Sequence, residues 1–240
     1  RTASSSLLLG ISMLMAWMRG DAAGRAAAGL IAVLAAIAAV SFNTDANVLA
    51  IVVAGLGAAC ALAAPGWTLR AAFAGAGAVV LLTPVLLPAV MALLPEAVRE
   101  GMPTSWLQRL HIWEYGLQRV AEEPFFGWGL DAARVLGAPA EVRGIAFDLM
   151  PLHAHNAGLH IWVETGLAGA GLAAAALFAL AGRRWRMDGR RAAALVWPLL
   201  VWFCCVEAGY GVWQEWHHGA LALALAGACL IPRDERAMKA

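Results

Sequence analysis

Two residues in the middle of the chain have the types and settings that proton transfer and phosphate binding require. His155 directly precedes Asn156, a good helix N-cap, so we expect His155 at the positive end of a helix. That position disfavours the imidazolium and keeps the histidine neutral, as a general base must be. Arg109 can hold a diphosphate through its bidentate guanidinium without a metal. A hydrogen-bonded interfacial histidine and an arginine that extends to lipid headgroups are the open alternatives.

The apolar run that follows Asn156 contains further polar side chains. His160 and Glu164 are four residues apart and share a helix face, so Glu164 can pair with His160 or with an arginine of the preceding segment. Acidic side chains within a membrane are costly and are candidates for function by default. For Glu207 and Glu215, which lie in or at the ends of later apolar runs, structural pairing is the favoured interpretation.

Zinc binding is another chemistry that the histidines could indicate. His153 and His155 form an HxH pair, and His217 and His218 are adjacent further along the chain. No cysteine or paired carboxylate with ligand spacing supports them, and the four cysteines all lie in apolar runs. We therefore predict no metal and no other cofactor. The sequence also lacks a phosphate-binding glycine loop and a basic aromatic surface for nucleic acid.

The elements that must position these residues are membrane helices. Of the 240 residues, 62% are hydrophobic and 14% are charged, whereas a soluble domain has roughly half and a quarter. A spanning helix needs about 20 mostly apolar residues. The predicted fold class is an all-α, polytopic transmembrane helix bundle of about seven helices, over residues 4–18, 26–42, 46–64, 69–94, 156–181, 192–208 and 212–231.

The chain opens on Arg1 without a start methionine or a signal-peptide pattern, so we interpret it as a single membrane domain of an N-terminally truncated fragment. Its parts are four helices within 4–94, a long polar interval over 95–155, three helices within 156–231 and a tail over 232–240.

Basic residues predict the orientation of the helices. In the short connections and the tail they alternate along the path so that they fall on one side of the membrane, and the positive-inside rule makes that side the cytoplasm. The interval 95–155 then lies on the outer face. A lipid-headgroup patch is the alternative interpretation of the densest cluster. The residues concerned are Arg19, Arg25, Arg70, Arg183, Arg184, Arg186, Arg190, Arg191, Arg233, Arg236 and Lys239.

An amphipathic helix over about residues 105–123 is predicted within the polar interval. Ser105 and Gln108 have capping-box spacing, and an apolar stripe follows at helical spacing. Arg109 projects near the edge of the stripe, and Arg119 points to the polar side. The turn-rich segment 124–129 must be a loop. The stripe consists of Trp106, Leu110, Trp113, Leu117 and Val120.

Three stretches resemble the C-terminal half of the O-antigen ligase/polymerase superfamily, whose members are polytopic membrane glycosyltransferases of the GT-C type. They are RLHIWEYGLQRVAEEPFFGWGLDAARVL, LHAHNAGLHIWVETGLAGAGL and GVWQEWHHGALALA. The resemblance covers roughly residues 26–231 and is specific over 108–172. There, an arginine before an aromatic helix, a Pro-x-x-Gly-x-Gly turn and a His-Asn helix start with a glutamate nine residues later occur together.

The resemblance implies an enzyme of the bacterial inner membrane that acts on the periplasmic face. Such enzymes move a glycan from an undecaprenyl-diphosphate carrier to an acceptor sugar, the lipid A core for ligases, without a metal. The family's essential arginine corresponds to Arg109 and its essential histidine to His155, so these are the expected catalytic residues. The expected substrate-binding residues are Arg119, Arg134, Asn156, His153, Glu164 and Trp113.

One departure from the family concerns phosphate binding. Many members carry a Ser-Arg-Gly sequence at the outer start of a helix, and the corresponding segment here, 41–45, has no arginine. Arg119, Arg134 or Arg143 is the expected substitute.

Three other functions remain as alternatives. A polymerase of a lipid-linked polysaccharide repeat is the nearest. A transporter of a polyprenyl lipid or another solute is the second, and the sequence shows none of the paired, broken helices typical of that class. A purely structural scaffold would leave the polar interval without a purpose.

Overall fold

The computed structural model describes residues 45–231, with side chains from Asn47 onward, and short pieces between residues 10 and 37. The first two expected helices and the tail 232–240 therefore lie largely or wholly outside the described residues, and the count of about seven membrane helices stays a prediction. The described residues are mostly helical, with one small hairpin. The all-α fold class is confirmed.

The helices of the described part are α1 (Asp45–Ala63), α2 (Pro65–Ala92), α3 (Glu96–Gly101), α4 (Thr104–Glu122), α5 (Ala157–Gly182), α6 (Gly189–Ala208) and α7 (Glu215–Cys229). A 3-10 turn (Ala132–Arg134) and an antiparallel hairpin, β1 (Pro139–Val142) and β2 (Ile145–Asp148), separate α4 from α5. Within the described residues, α2, α5 and α6 are long and apolar enough to cross a membrane, and α1 is apolar but shorter.

Helix α2 contains Pro84, which has no backbone N–H and so removes one intrahelical hydrogen bond. The carbonyl of Val80, four residues earlier, consequently has no intrahelical donor. The indole Nε1–H of Trp162 on α5 donates to this carbonyl at 2.9 Å. Beside this bond, Gly158 lets the two helices approach, since a Cβ there would lie 2.1 Å from Oγ1 of Thr83. A proline in α2 is thus compensated by α5, as membrane helices require.

Helix α5 is broken at Gly166, whose backbone adopts φ 57° and ψ −158°. The sequence shows no paired, broken helices, and this break in α5 is a feature that it did not indicate. The loop 124–129 fills the break with four backbone hydrogen bonds of 2.9–3.0 Å. Its residues 128 and 129 donate to the carbonyls of residues 163 and 164, and its residues 124 and 125 accept from the N–H groups of 167 and 168. The predicted loop therefore completes the backbone of a membrane-length helix.

Helix α4 has the predicted amphipathic character. Leu110, Trp113 and Val120 of the expected stripe are buried. The predicted capping box is wrong, because the helix begins at Thr104 and places Ser105 inside its first turn. Proline at the N-cap position provides no side-chain acceptor for the first N–H groups.

The described residues fall into two compact units. One comprises residues 74–179 and 206–213, which include α3, α4, the hairpin and most of α5. The other contains α1, α7, most of α6 and the adjoining ends of α2 and α5. Small residues let the helices of this second unit approach closely, since a Cβ at Gly57 would lie 2.2 Å from Cδ1 of Leu200. Its core cluster is Ala61, Leu69, Ala192, Ala193 and Val196.

Candidate active site

The His155 ring is held in a defined orientation within the first unit. Its Nδ1 lies 2.9 Å from the carbonyl oxygen of Gly209. Because a carbonyl only accepts, Nδ1 carries the proton, and Nε2 of the neutral ring keeps its lone pair. His155 also has a left-handed backbone, with φ 52°, which is unusual for a residue other than glycine. Local strain thus accompanies the placement of a ring nitrogen that can accept a proton.

Both histidines of the HxH pair are kept neutral. Burial lowers the pKa of His155 from its usual 6.5; the Gly209 hydrogen bond opposes this effect, and the charge of Arg109 adds to it. Burial likewise lowers the pKa of His153 to about 3, with further lowering by His155 and His160. Nδ1 of His153 accepts the backbone N–H of His155 at 3.3 Å, and the two rings lie 4.3 Å apart.

Arg109 lies on α4 with its guanidinium 4.6 Å from the centre of the Trp106 ring. Its positive charge makes the smallest contribution to the lowered pKa of both His153 and His155. One turn further along α4, Nε1 of Trp113 donates to the carbonyl of Ala154 at 3.1 Å. This bond attaches α4 to the HxH segment.

Asn156 caps α5 as predicted. Its Oδ1 accepts the N–H of Leu159 at 2.7 Å, and its Nδ2 donates to the backbone carbonyl of Glu207 at 3.0 Å. Both polar atoms of the buried amide are therefore engaged with the protein, and they connect the start of α5 to the end of α6.

Of the two partners left open for Glu164, the structure shows His160, with Nε2 of the ring 3.2 Å from Oε1 of the carboxylate. The carboxylate also accepts from Nε1 of Trp213 at 2.6 Å and from the backbone N–H of Ala133 at 3.3 Å. Glu164 is thus the common acceptor for α5, the 3-10 turn and the segment after α6. The His160 ring lies 6.5 Å from that of His153, which joins this network to the HxH pair.

The other arginines of the interval contact carboxylates or carbonyls. Arg119 pairs with Glu122 and lies over the rings of Tyr115 and Trp128, so it is less solvated than its predicted polar side suggests. The exposed Arg134 lies 2.5 Å from Asp131. Arg143 donates to the carbonyls of Met102 and Glu100, which attaches the hairpin to the end of α3.

Sequence reasoning assigned no role to the segment 209–213, which contributes Gly209 and Trp213 to this network. The sequence feature that could have pointed to this segment is its pair of glycines, Gly209 and Gly211, between two apolar runs. Gly211 lets the segment approach the HxH pair, since a Cβ there would lie 3.0 Å from Cβ of His153. Among the residues that the structure describes, no three His, Cys, Asp or Glu side chains are grouped as metal ligands would be.

Comparison with known proteins decides the family. A family model described as O-antigen ligase matches residues 30–174, which is more than half of the chain. The chain belongs to the O-antigen ligase family. The matched region of this family member contains Arg109, His155 and Glu164.

A curated relative of this family member comes from Rickettsia conorii, where it is provisionally named a polysaccharide ligase. It is 25% identical over 117 residues, which cover 47% of this chain and 28% of the relative. The chain thus aligns with less than a third of that relative's length. No solved structure matches the chain.

Proposed function

We propose that this chain carries the transfer site of a polytopic membrane glycosyltransferase. The enzyme moves a glycan from an undecaprenyl-diphosphate carrier to a hydroxyl of an acceptor sugar, the lipid A core, on the periplasmic face of the bacterial inner membrane. The observation that carries the proposal is the hydrogen bond from Nδ1 of His155 to the Gly209 carbonyl, which leaves Nε2 of the neutral ring as an acceptor. The charge of Arg109 acts on the same ring.

The proposed reaction is one direct displacement. The acceptor hydroxyl attacks the anomeric carbon of the glycan while its proton moves to Nε2 of His155. The bond from that carbon to the carrier diphosphate breaks, and its electron pair leaves with the diphosphate. Arg109 stabilises the growing negative charge through two parallel N–H donors. A single displacement inverts the configuration at the anomeric carbon.

The remaining site residues divide by their contacts. Asn156, Trp113 and Glu164 are buried, and their polar atoms bind the protein, so we assign them to positioning His155 and the loops around it. The Gly209 carbonyl accepts from Nδ1 and stabilises the imidazolium that forms when Nε2 takes the proton. His153, Arg119 and Arg134 are the candidates for contacts to the substrate. A contact by either arginine requires it to share or leave its present carboxylate.

The experiment that tests this function is product analysis in a strain that lacks the full-length gene. Loss of a ligase leaves the lipid A core unsubstituted while long chains remain on the carrier lipid. Loss of a polymerase, the nearest alternative, leaves single repeats on the lipid A core and on the carrier lipid. Unchanged glycan on the core and normal chain length would reject both activities.

The broken helix α5 is the observation that favours a transporter, because discontinuous helices commonly line substrate sites in that class. At the break, however, the carbonyls of residues 163 and 164 and the N–H groups of residues 167 and 168 all form hydrogen bonds with the loop 124–129. These four backbone groups are therefore not available to coordinate an ion. Movement of labelled carrier lipid across vesicles without a new glycosidic bond would support transport over transfer.

A further inference from the structure

A basic cavity lies where the connection between α5 and α6 packs against the start of α2. Its volume is about 230 Å³. This is below the about 300–1,000 Å³ of a drug-sized pocket. The residues that line it are Gly66, Trp67, Arg70, Arg184, Trp185 and Arg186.

The walls of this cavity are held by specific contacts. Trp185 stacks on Phe73 with ring centres 5.6 Å apart, and its Nε1–H donates to the carbonyl of Leu180 at 3.0 Å. Nε of Arg70 donates to the carbonyl of Arg183 at 3.1 Å. The cavity is therefore part of the folded structure rather than a gap between mobile side chains.

Three guanidinium groups converge on this cavity without local neutralisation. In the described part of the chain, no carboxylate forms an ion pair with Arg70, Arg184 or Arg186. The nearest acid in the sequence, Asp188, is buried and accepts the backbone N–H of Arg191 at 3.0 Å. Like charges at one place repel each other, and an anion with several acceptor oxygens relieves that repulsion.

The position of the cavity indicates where the anion comes from. Its lining lies at the start of α2 and between the end of α5 and the start of α6, the three membrane-length helices. Trp67, at the rim, is 73% exposed. An exposed tryptophan beside arginines at the ends of membrane helices is typical of the headgroup layer.

We propose that this cavity binds the phosphate of an anionic phospholipid headgroup. The guanidinium groups of Arg70, Arg184 and Arg186 contact the phosphate oxygens, and Trp67 lies against the glycerol and upper acyl region. The proposal does not depend on the transfer chemistry. It would attach the α5–α6 connection to the membrane surface.

The test measures lipid binding to the purified full-length protein in a neutral detergent. Native mass spectrometry gives the dissociation constants of phosphatidylglycerol and phosphatidylcholine, and a parallel titration uses inorganic phosphate. Each arginine should strengthen phosphatidylglycerol binding by about fivefold. R184Q and R186Q should therefore each weaken the affinity by about fivefold, and the double variant should weaken it by about 25-fold. The matched control is R190Q, in the first turn of α6 and outside the cavity lining.

Both substituted arginines are exposed, so the variants should fold; the single variants serve if the double variant does not. Equal phosphatidylglycerol affinity in wild type and R186Q overturns the proposal. So does equal affinity for phosphatidylcholine and phosphatidylglycerol. Binding of inorganic phosphate that R186Q abolishes, without lipid selectivity, would assign the cavity to a free anion and also overturn it.

Discussion

Nε2 of His160 lies 3.2 Å from Oε1 of Glu164, one turn along α5, and the two side chains are 4% and 1% exposed. A pair this deeply buried is stable only when the remaining oxygen lone pairs also have donors. Trp213 and Ala133 provide them. One carboxylate thus connects α5 to two segments that are distant in the sequence.

Glu164→Gln should lower the thermal stability of the protein in detergent. The amide places a donor where the carboxylate had an acceptor, and a buried hydrogen bond to a charged group contributes about 1.5–3 kcal/mol. The measurement is the unfolding midpoint temperature against wild type. Glu114→Gln, on the exposed side of α4, is the control and should leave the midpoint unchanged. Equal midpoints for both variants would show that the network adds nothing.

His155→Asn should abolish glycan transfer while the protein still folds. Asparagine tolerates the left-handed backbone at this position but cannot act as a base near neutral pH. Loss of a general base typically costs about 10²–10⁴-fold in rate. The rate is measured as carrier-linked glycan consumed by the purified full-length enzyme. His111→Gln is the matched control on the exposed side of α4, and near-wild-type transfer by His155→Asn would reject the base.

Arg109→Lys should reduce the turnover rate by about 10²–10³-fold, the range for removing a transition-state donor. Lysine keeps the charge but not the planar pair of N–H donors that fits a diphosphate. Substrate affinity should change less than turnover, because the charge on the diphosphate grows as the bond breaks. The control is Arg99→Lys, whose arginine binds the carbonyl of Met91. Retained turnover in Arg109→Lys would leave Arg109 a structural role.

The transfer rate should stay constant as the pH falls from 8 to 6.5 and decline only at lower pH. The neutral imidazole is the active form, and burial together with Arg109 places the pKa of His155 below 6.5. His155 therefore becomes protonated at a lower pH than a free imidazole would. The measurement is the pH profile of kcat/KM, which reports the pKa of the free enzyme, with stability checked at each pH. An acid limb centred above pH 6.5 would contradict the buried, neutral base.

Gly166→Ala should destabilise the fold, since φ 57° with ψ −158° is a conformation that only glycine adopts readily. The new Cβ would also lie 2.5 Å from the carbonyl carbon of Phe125. We expect a loss of at least about 1–3 kcal/mol from strain alone. Gly171→Ala is the control in the same helix, where a Cβ meets nothing within 4 Å and alanine should be neutral or stabilising. An unchanged unfolding midpoint for Gly166→Ala would mean that α5 can run unbroken.

Local patterns in the sequence were enough for several features. The apolar composition predicted membrane-length helices, and α2, α5 and α6 have that length. Asn156 predicted the start of α5, and the four-residue spacing predicted the contact of His160 with Glu164. These features depend on helical periodicity and on N-cap chemistry, which act between residues close in the chain.

Tertiary structure decided the contacts between distant segments. The Gly209 carbonyl that orients His155 is 54 residues away, and the Val80 carbonyl that receives Trp162 is 82 residues away. No local pattern carries such pairs, because they form only when helices pack and leave particular backbone groups without donors. The same reason explains the break in α5. A glycine among many small residues has no distinct signal until the loop 124–129 provides the hydrogen bonds that the helix itself gives up.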